Sequence, residues 1–211
     1  MENLPAIIVA IGGVISAIAT PLAAWFAYNQ YTKNKLTDLK VERYKANTER
    51  ELAMRTDKCG YIYGELADLK NATKADRVYI AQPHPLGNES LMSVYFEVKD
   101  KGVEPMKPHI QQLPLADIPK FYSLLASNDY ITIHNIDNVD DLMAHSIFAT
   151  YGAEECYIYK MYNHRRDWCG SIFVEFTAGK SPISDSEMQD ILKTCASAIQ
   201  YQIPEFKTAE I

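Results

Sequence analysis

The sequence predicts an α+β fold in which a central antiparallel sheet with flanking helices stands behind a transmembrane helix and a helical stalk. Three observations predict it. Leu4–Tyr28 is a run of 25 residues without a charge. Residues 29–57 are polar, alternate in charge and contain neither Pro nor Gly. From Cys59 onward, short stretches of period-2 apolar alternation are interleaved with stretches of helical period and with Gly- and Pro-containing turns. A hydrophobic share of 47% against 23% charged is that of an ordinary globular chain, so one compact domain is expected after the stalk. The 21 Lys and Arg against 27 Asp and Glu give a net charge of −6, and no basic cluster offers the face that phosphate contacts require. A nucleic-acid partner is therefore not expected.

At about 1.5 Å per residue the run 4–28 is long enough to cross a hydrocarbon core of about 30 Å. A cleaved signal peptide would need a basic leading segment, and only Met1, Glu2 and Asn3 precede the run. A buried core helix apolar all round would need a larger protein about it. The run reads as a retained anchor, with the lipid bilayer as its partner. Gly12, Ser16, Thr20 and Ala24 recur every four residues and place small side chains on one face, a surface for helix association and a homo-oligomer. Trp25, Tyr28 and Tyr31 are the expected interface anchors. No Lys or Arg precedes the run, whereas Lys33, Lys35, Lys40, Arg43 and Lys45 follow it. The positive-inside rule then gives a single-pass protein of the bacterial inner membrane with its remainder in the cytoplasm.

Four segments follow: the membrane helix 4–28, a charged helical stalk 29–57, a domain 58–203 and a tail 204–211. In the domain, Cys59, Ile62, Leu66 and Leu69 fall at the spacing of an amphipathic helix that ends over Asn71–Lys74. Asp76–Gln82 reads as a strand closed by a turn at Pro83, Pro85 and Gly87. Leu91–Val98 reads as a second strand with Met92, Val94, Phe96 and Val98 on one face and Tyr95 and Glu97 on the other. A long connection from Gly102 leads to a helix at Lys120–Ala126, a strand at Tyr130–His134 and a helix at Val139–Tyr151 closed by Gly152. Glu155–Tyr162 and Trp168–Phe176 form a hairpin about the turn Asn163–Asp167, with Gly170 marking a bulge or a close backbone approach. Ser184 and Glu187 make a capping box for a final helix ending at Pro204. The order is α-β-β-α-β-α-β-β-α.

Catalytic chemistry finds little support. His84, His109, His134, His145 and His164 form no HExxH pair, and neither a phosphate-binding Gly-rich loop nor a G-x-S-x-G elbow occurs. No enzyme, metal or cofactor is expected. Cys59, Cys156, Cys169 and Cys195 lack ligand spacing and read as buried thiols.

The segments ATKADRVYI, RDWCGSIFVEF and SPISDSEMQDILKTCASAIQYQI, in this order of elements, resemble a GAF-type domain, the sensor relative of the PAS fold. The resemblance covers about residues 58–203. It implies first and last helices packed on one face of the sheet and a pocket on the other. By that analogy and by placement at strand ends, His84, Tyr95 and His134 are the candidate ligand-binding residues. The Asn-Lys-Phe-Asp-Glu signature of cyclic-nucleotide-binding members is absent, as is the Cys-His pair of many bilin-binding members. The whole architecture is also similar to the T-even phage holins, most closely over YIYKMYNHRRDWCGSIFVEFTAGKSPISDSEMQDILKTCASAI. Those holins carry a basic segment before the helix and a periplasmic domain, the reverse of the charge bias here. The leading expectation is a holin-type lysis-timing protein of a bacteriophage. The alternatives are a single-pass small-molecule or redox sensor that signals through dimerisation, and an accessory scaffold whose pocket is filled by its own side chains. A small-molecule ligand or a regulatory protein is the soluble partner these readings imply.

Overall fold

A computed structural model describes residue 25 and residues 28–37, 40–42, 45, 56–85 and 89–204. The chain divides into two units, Met1–Met54 and Arg55–Ile211. In the first unit residues 28–37 are helical, and the Thr32 and Thr37 hydroxyls donate back to carbonyls one turn earlier. Trp25, Tyr28 and Tyr31 are exposed. Gly12, Ser16, Thr20 and Ala24 and most of the run 4–28 lie outside the described residues, among which no helix is long and apolar enough to cross a membrane.

The second unit begins with α1 (residues 56–73), whose Ile62, Leu66 and Leu69 are buried as their spacing predicts. There follow β1 (Arg77–His84), β2 (Leu91–Lys99), the two-residue β3 (Leu113–Pro114), α2 (Pro119–Ser127), β4 (Tyr130–Ile133), α3 (Leu142–Thr150), β5 (Glu155–Tyr162), β6 (Trp168–Phe176) and α4 (Asp185–Ile199). The strands form one antiparallel sheet in the order β3-β2-β1-β6-β5-β4.

Both faces of the sheet are covered. On one, Val78, Ile80, Tyr157, Ile172 and Val174 meet α1 and α4 through Ile62, Leu66, Met188, Leu192 and Ile199. On the other, Tyr79, Met92, Val94, Ile158 and Phe173 meet Phe121 and Leu125 of α2 and Ala144 and Phe148 of α3. The first and last helices thus share one face, as the resemblance implied. Each fully buried Leu, Ile or Phe contributes about 1.5–3 kcal/mol, so two opposed apolar layers hold the strands in register.

Several sequence expectations need correction. β1 does not end at Pro83 but continues to His84, paired with Leu91. Pro83 has no N–H to offer, and it is tolerated because β6 stops pairing with β1 at Ala81, leaving that side of the strand an edge. In β2 the expected single face is broken: Ile80 pairs with Phe96 but Ala81 pairs with Val94, so Tyr95 is an inserted bulge residue. Met92 and Val94 enter the α2–α3 core, while Phe96 enters the α1–α4 core. α3 starts at Leu142 rather than Val139, because Ile136–Asn138 forms a separate 3₁₀ turn and Asp141 caps the helix. At Gly170 both expected features occur. The register shifts beside it, and a Cβ there would lie 3.3 Å from the Ala81 carbonyl oxygen.

Candidate functional site

The place to look for a ligand in such a sandwich is between the sheet and α2–α3. That space is packed with Tyr79, Met92, Met106, Phe121, Phe148 and Phe173, and the remaining void is about 20 Å³, room for one water. The connection after β2 closes it. Glu97 accepts from the backbone N–H of Met106 (2.6 Å) and Lys107 (3.0 Å), and the Val94 N–H donates to the Ile110 carbonyl at 2.9 Å. These bonds pin the buried Met106 and Ile110 over the core.

Beneath this plug lies a buried charge pair. Arg77 and Glu175, neighbours across β1 and β6, are both fully buried. The guanidinium donates from Nε (2.8 Å) and Nη2 to Glu175 and from Nη1 to the Glu104 carbonyl, and the Tyr79 hydroxyl donates to the other Glu175 oxygen at 2.6 Å. Burial opposes the Arg77 charge, but Glu175 and Tyr79 outweigh it and raise the Arg77 pKa. A pair so enclosed specifies the closed arrangement, because opening it would expose one unpaired charge to the core.

A polar cluster that reaches solvent lies at the β4 edge of the sheet. His134 follows β4, Glu155 opens β5, and Asp185 is the first residue of α4. His134 Nδ1 lies 2.7 Å from Glu155 Oε1 and Nε2 lies 3.1 Å from Asp185 Oδ2. The Tyr157 hydroxyl donates to Glu155 at 2.8 Å and approaches Asp185 Oδ1 at 3.3 Å. The Ser181 N–H donates to Glu155 Oε2 at 2.6 Å, and the Tyr130 hydroxyl to the Asp185 carbonyl at 3.1 Å. Glu155 is buried, whereas the His134 side chain is 57% exposed. The hydrogen bond to Glu155, opposed by slight desolvation and helped by Asp185, raises the His134 pKa above its ordinary value. Burial works to raise the Glu155 pKa, but His134, Ser181 and Tyr157 overcome it and hold the carboxyl below its ordinary range. His134 borders two open clefts. One, of about 350 Å³, also has Glu154, Asp137 and Lys180 on its walls. The other, of about 750 Å³, runs to Lys120 and Asp141. No metal-binding group of three ligands occurs among the described residues. The arrangement can hold a proton between two carboxylates.

His84 and Tyr95 are near one another, with ring centroids 6.4 Å apart. His84 Nε2 lies 2.9 Å from the Ser93 hydroxyl, and burial lowers its pKa. β6 and β5 separate these two from His134. None of the three lines the apolar core void. Glu155 and Asp185, the partners of His134, were not singled out from the sequence. Each stands at the start of an element, and only the sheet order brings those ends together.

No family model and no curated protein matches the chain. Solved structures do. The blue-light-absorbing form of the PixJ GAF domain of Thermosynechococcus elongatus aligns with 70% of this chain and 85% of its own length at 12% identity and a TM-score of 0.57. The fold is GAF-like. A far-red cyanobacteriochrome photoreceptor aligns with 77% of the chain and 97% of its own, at 13% identity and a TM-score of 0.55. The phycocyanobilin-bound GAF domain of a cyanobacterial phytochrome aligns with 75% and 91%, at 18% identity and a TM-score of 0.51. At such identities the likeness establishes the fold of the GAF-like domain.

Proposed function

We propose that this chain is a membrane-tethered, non-enzymatic sensory or binding module whose GAF-like domain responds at its surface rather than in an enclosed pocket. The observation that carries this reading is the GAF-like sheet with α1 and α4 together on one face, α1 following in sequence on the charged segment 29–57. The Cys195 thiol even reaches the Glu65 carbonyl across the two helices, at 4.0 Å. A shift in α4 is therefore felt by α1, the natural route to a dimer of tethered domains. The interior does not fit the phycocyanobilin that one of these solved GAF domains carries. Ligand pockets occupy about 300–1,000 Å³, against the 20 Å³ left here. Redox sensing through Cys156 or Cys195 loses support. None of the four cysteines is in a disulfide; burial pushes the Cys156 thiol well up and raises that of Cys195 to about 12, so neither of these two offers a thiolate.

The segment 4–28 supplies the tether, and its small-residue face is also what favours the second reading, a holin-type pore. One experiment separates the two. The full chain, and a variant lacking residues 4–28, are expressed in bacteria with a cytoplasmic endolysin while turbidity and membrane fractions are followed. The module reading expects membrane retention that depends on 4–28 and uninterrupted growth. Abrupt lysis with the full chain would replace it with the pore.

A further inference from the structure

We propose that His134 is a proton-binding site that clasps the first turn of α4 to the β4–β5 edge when charged and releases Asp185 when neutral. The proposal rests on the reading above in one respect, that α4 is an element through which the domain responds.

The argument is one of donor count. A neutral imidazole has one N–H and one lone pair, whereas the cation has two N–H groups. Here each ring nitrogen faces a carboxylate oxygen, Glu155 at 2.7 Å and Asp185 at 3.1 Å. Only the imidazolium donates to both. When the proton leaves, one nitrogen turns a lone pair toward a carboxylate, and one of the two contacts must go.

The surroundings decide which. Glu155 is buried and fixed by three donors, His134, Tyr157 and the Ser181 N–H, so it cannot withdraw. The Asp185 side chain is half exposed, and its remaining contact, with the Tyr157 hydroxyl, is a long 3.3 Å. The neutral ring therefore keeps its proton on Nδ1 for Glu155 and gives up Asp185. The groups facing His134 are these two carboxylates and Tyr157, with Tyr130 bonded to the Asp185 carbonyl, Glu154, Asp137 and Lys180 along one adjoining cleft and Lys120, Asp140 and Asp141 along the other. The acidic excess among them favours the charged ring. Asp185 is the first residue of a helix capped by Ser184, so its release removes the side-chain link that His134 makes between the first turn of α4 and the β4–β5 edge. Downstream of that turn, Met188 and Leu192 pack against the same core as α1.

The test uses the full chain in lipid nanodiscs. Histidine side-chain NMR gives the midpoint of each ring, with His134→Asn assigning the signal. Hydrogen exchange of the peptide spanning 184–192 is followed from pH 5.5 to 9 and corrected for intrinsic rates. The clasp expects a midpoint above the ordinary histidine value and a corrected exchange rate that rises about two- to fivefold through it, the range a surface ion pair allows. In His134→Asn the corrected rate should not vary with pH. Asp185→Asn, which leaves Glu155 and the ring in place, should lower the midpoint and flatten the exchange profile. A midpoint at or below the ordinary value, or an α4 profile with the same slope in His134→Asn, overturns the clasp. Either failure leaves the tethered-module reading standing, since that reading is decided by membrane retention and growth.

Discussion

Asp141 shows how much one side chain can organise. Its Oδ1 accepts from the Ala144 N–H at the start of α3, and its Oδ2 accepts from the Lys120 and Phe121 N–H groups at the start of α2. α2 has no cap of its own: Ile118 precedes it, and Pro119 occupies the first turn. Burial opposes the Asp141 charge, yet the backbone N–H groups of Phe121, Ala144, Lys120 and Met143 outweigh burial and hold its pKa below the ordinary aspartate value. Its stabilising effect is thus present above the unfolded pKa and lost as pH falls through the folded one. Asp141→Ala removes both caps, and at about 1 kcal/mol for each it should cost roughly 2 kcal/mol in urea unfolding of the full chain. A cost below about 0.5 kcal/mol would mean that water serves these N–H groups equally well. His134 titrates in the opposite sense: its pKa is raised, so its contribution is full below the unfolded value and is lost as pH rises through the folded one.

At the scale of elements, the sequence carried the order of helices and strands apart from the two-residue β3, the hairpin turn at Asn163, the cap at Ser184 and the close approach at Gly170. Each of those is a local signal. What escaped it depends on partners distant in sequence. Alternation in Leu91–Val98 reads as one apolar face because a bulge leaves no mark in a single strand. Nothing local marks Arg77 as buried, since a charge in a strand ordinarily faces water, and only Glu175 on the neighbouring strand makes its burial tolerable. The bulge gives a sharp prediction. Under regular alternation, deleting Tyr95 would throw Phe96 and Val98 onto the wrong face. With Tyr95 inserted between Val94 and Phe96, its deletion restores a continuous ladder and keeps both faces in place. The deletion variant should fold, losing only the packing of one half-buried Tyr, about 1–3 kcal/mol. Far-ultraviolet circular dichroism with urea unfolding checks it. A variant without cooperative unfolding would contradict the bulge.

At the scale of the whole second unit, two apolar layers enclose one sheet, and the layer under α2 and α3 is closed by the chain's own Met106, Phe121, Phe148 and Phe173. The candidate site was half legible. His134 was in view as a strand-end residue, but its placement with Glu155 and Asp185 depends on β4 being the sheet's outermost strand beside β5. In the proposed reading the domain responds at this edge, where α4 packs on the same core as α1 and beside β5. The most direct test of a sealed interior is titration of the full chain with phycocyanobilin and with biliverdin, read by visible absorbance and by quenching of Trp168 against a Trp168→Phe control. The account predicts no saturable change and no coloured complex on gel filtration. A stoichiometric coloured complex, weakened when Ala144→Trp fills the space under α3, would contradict it.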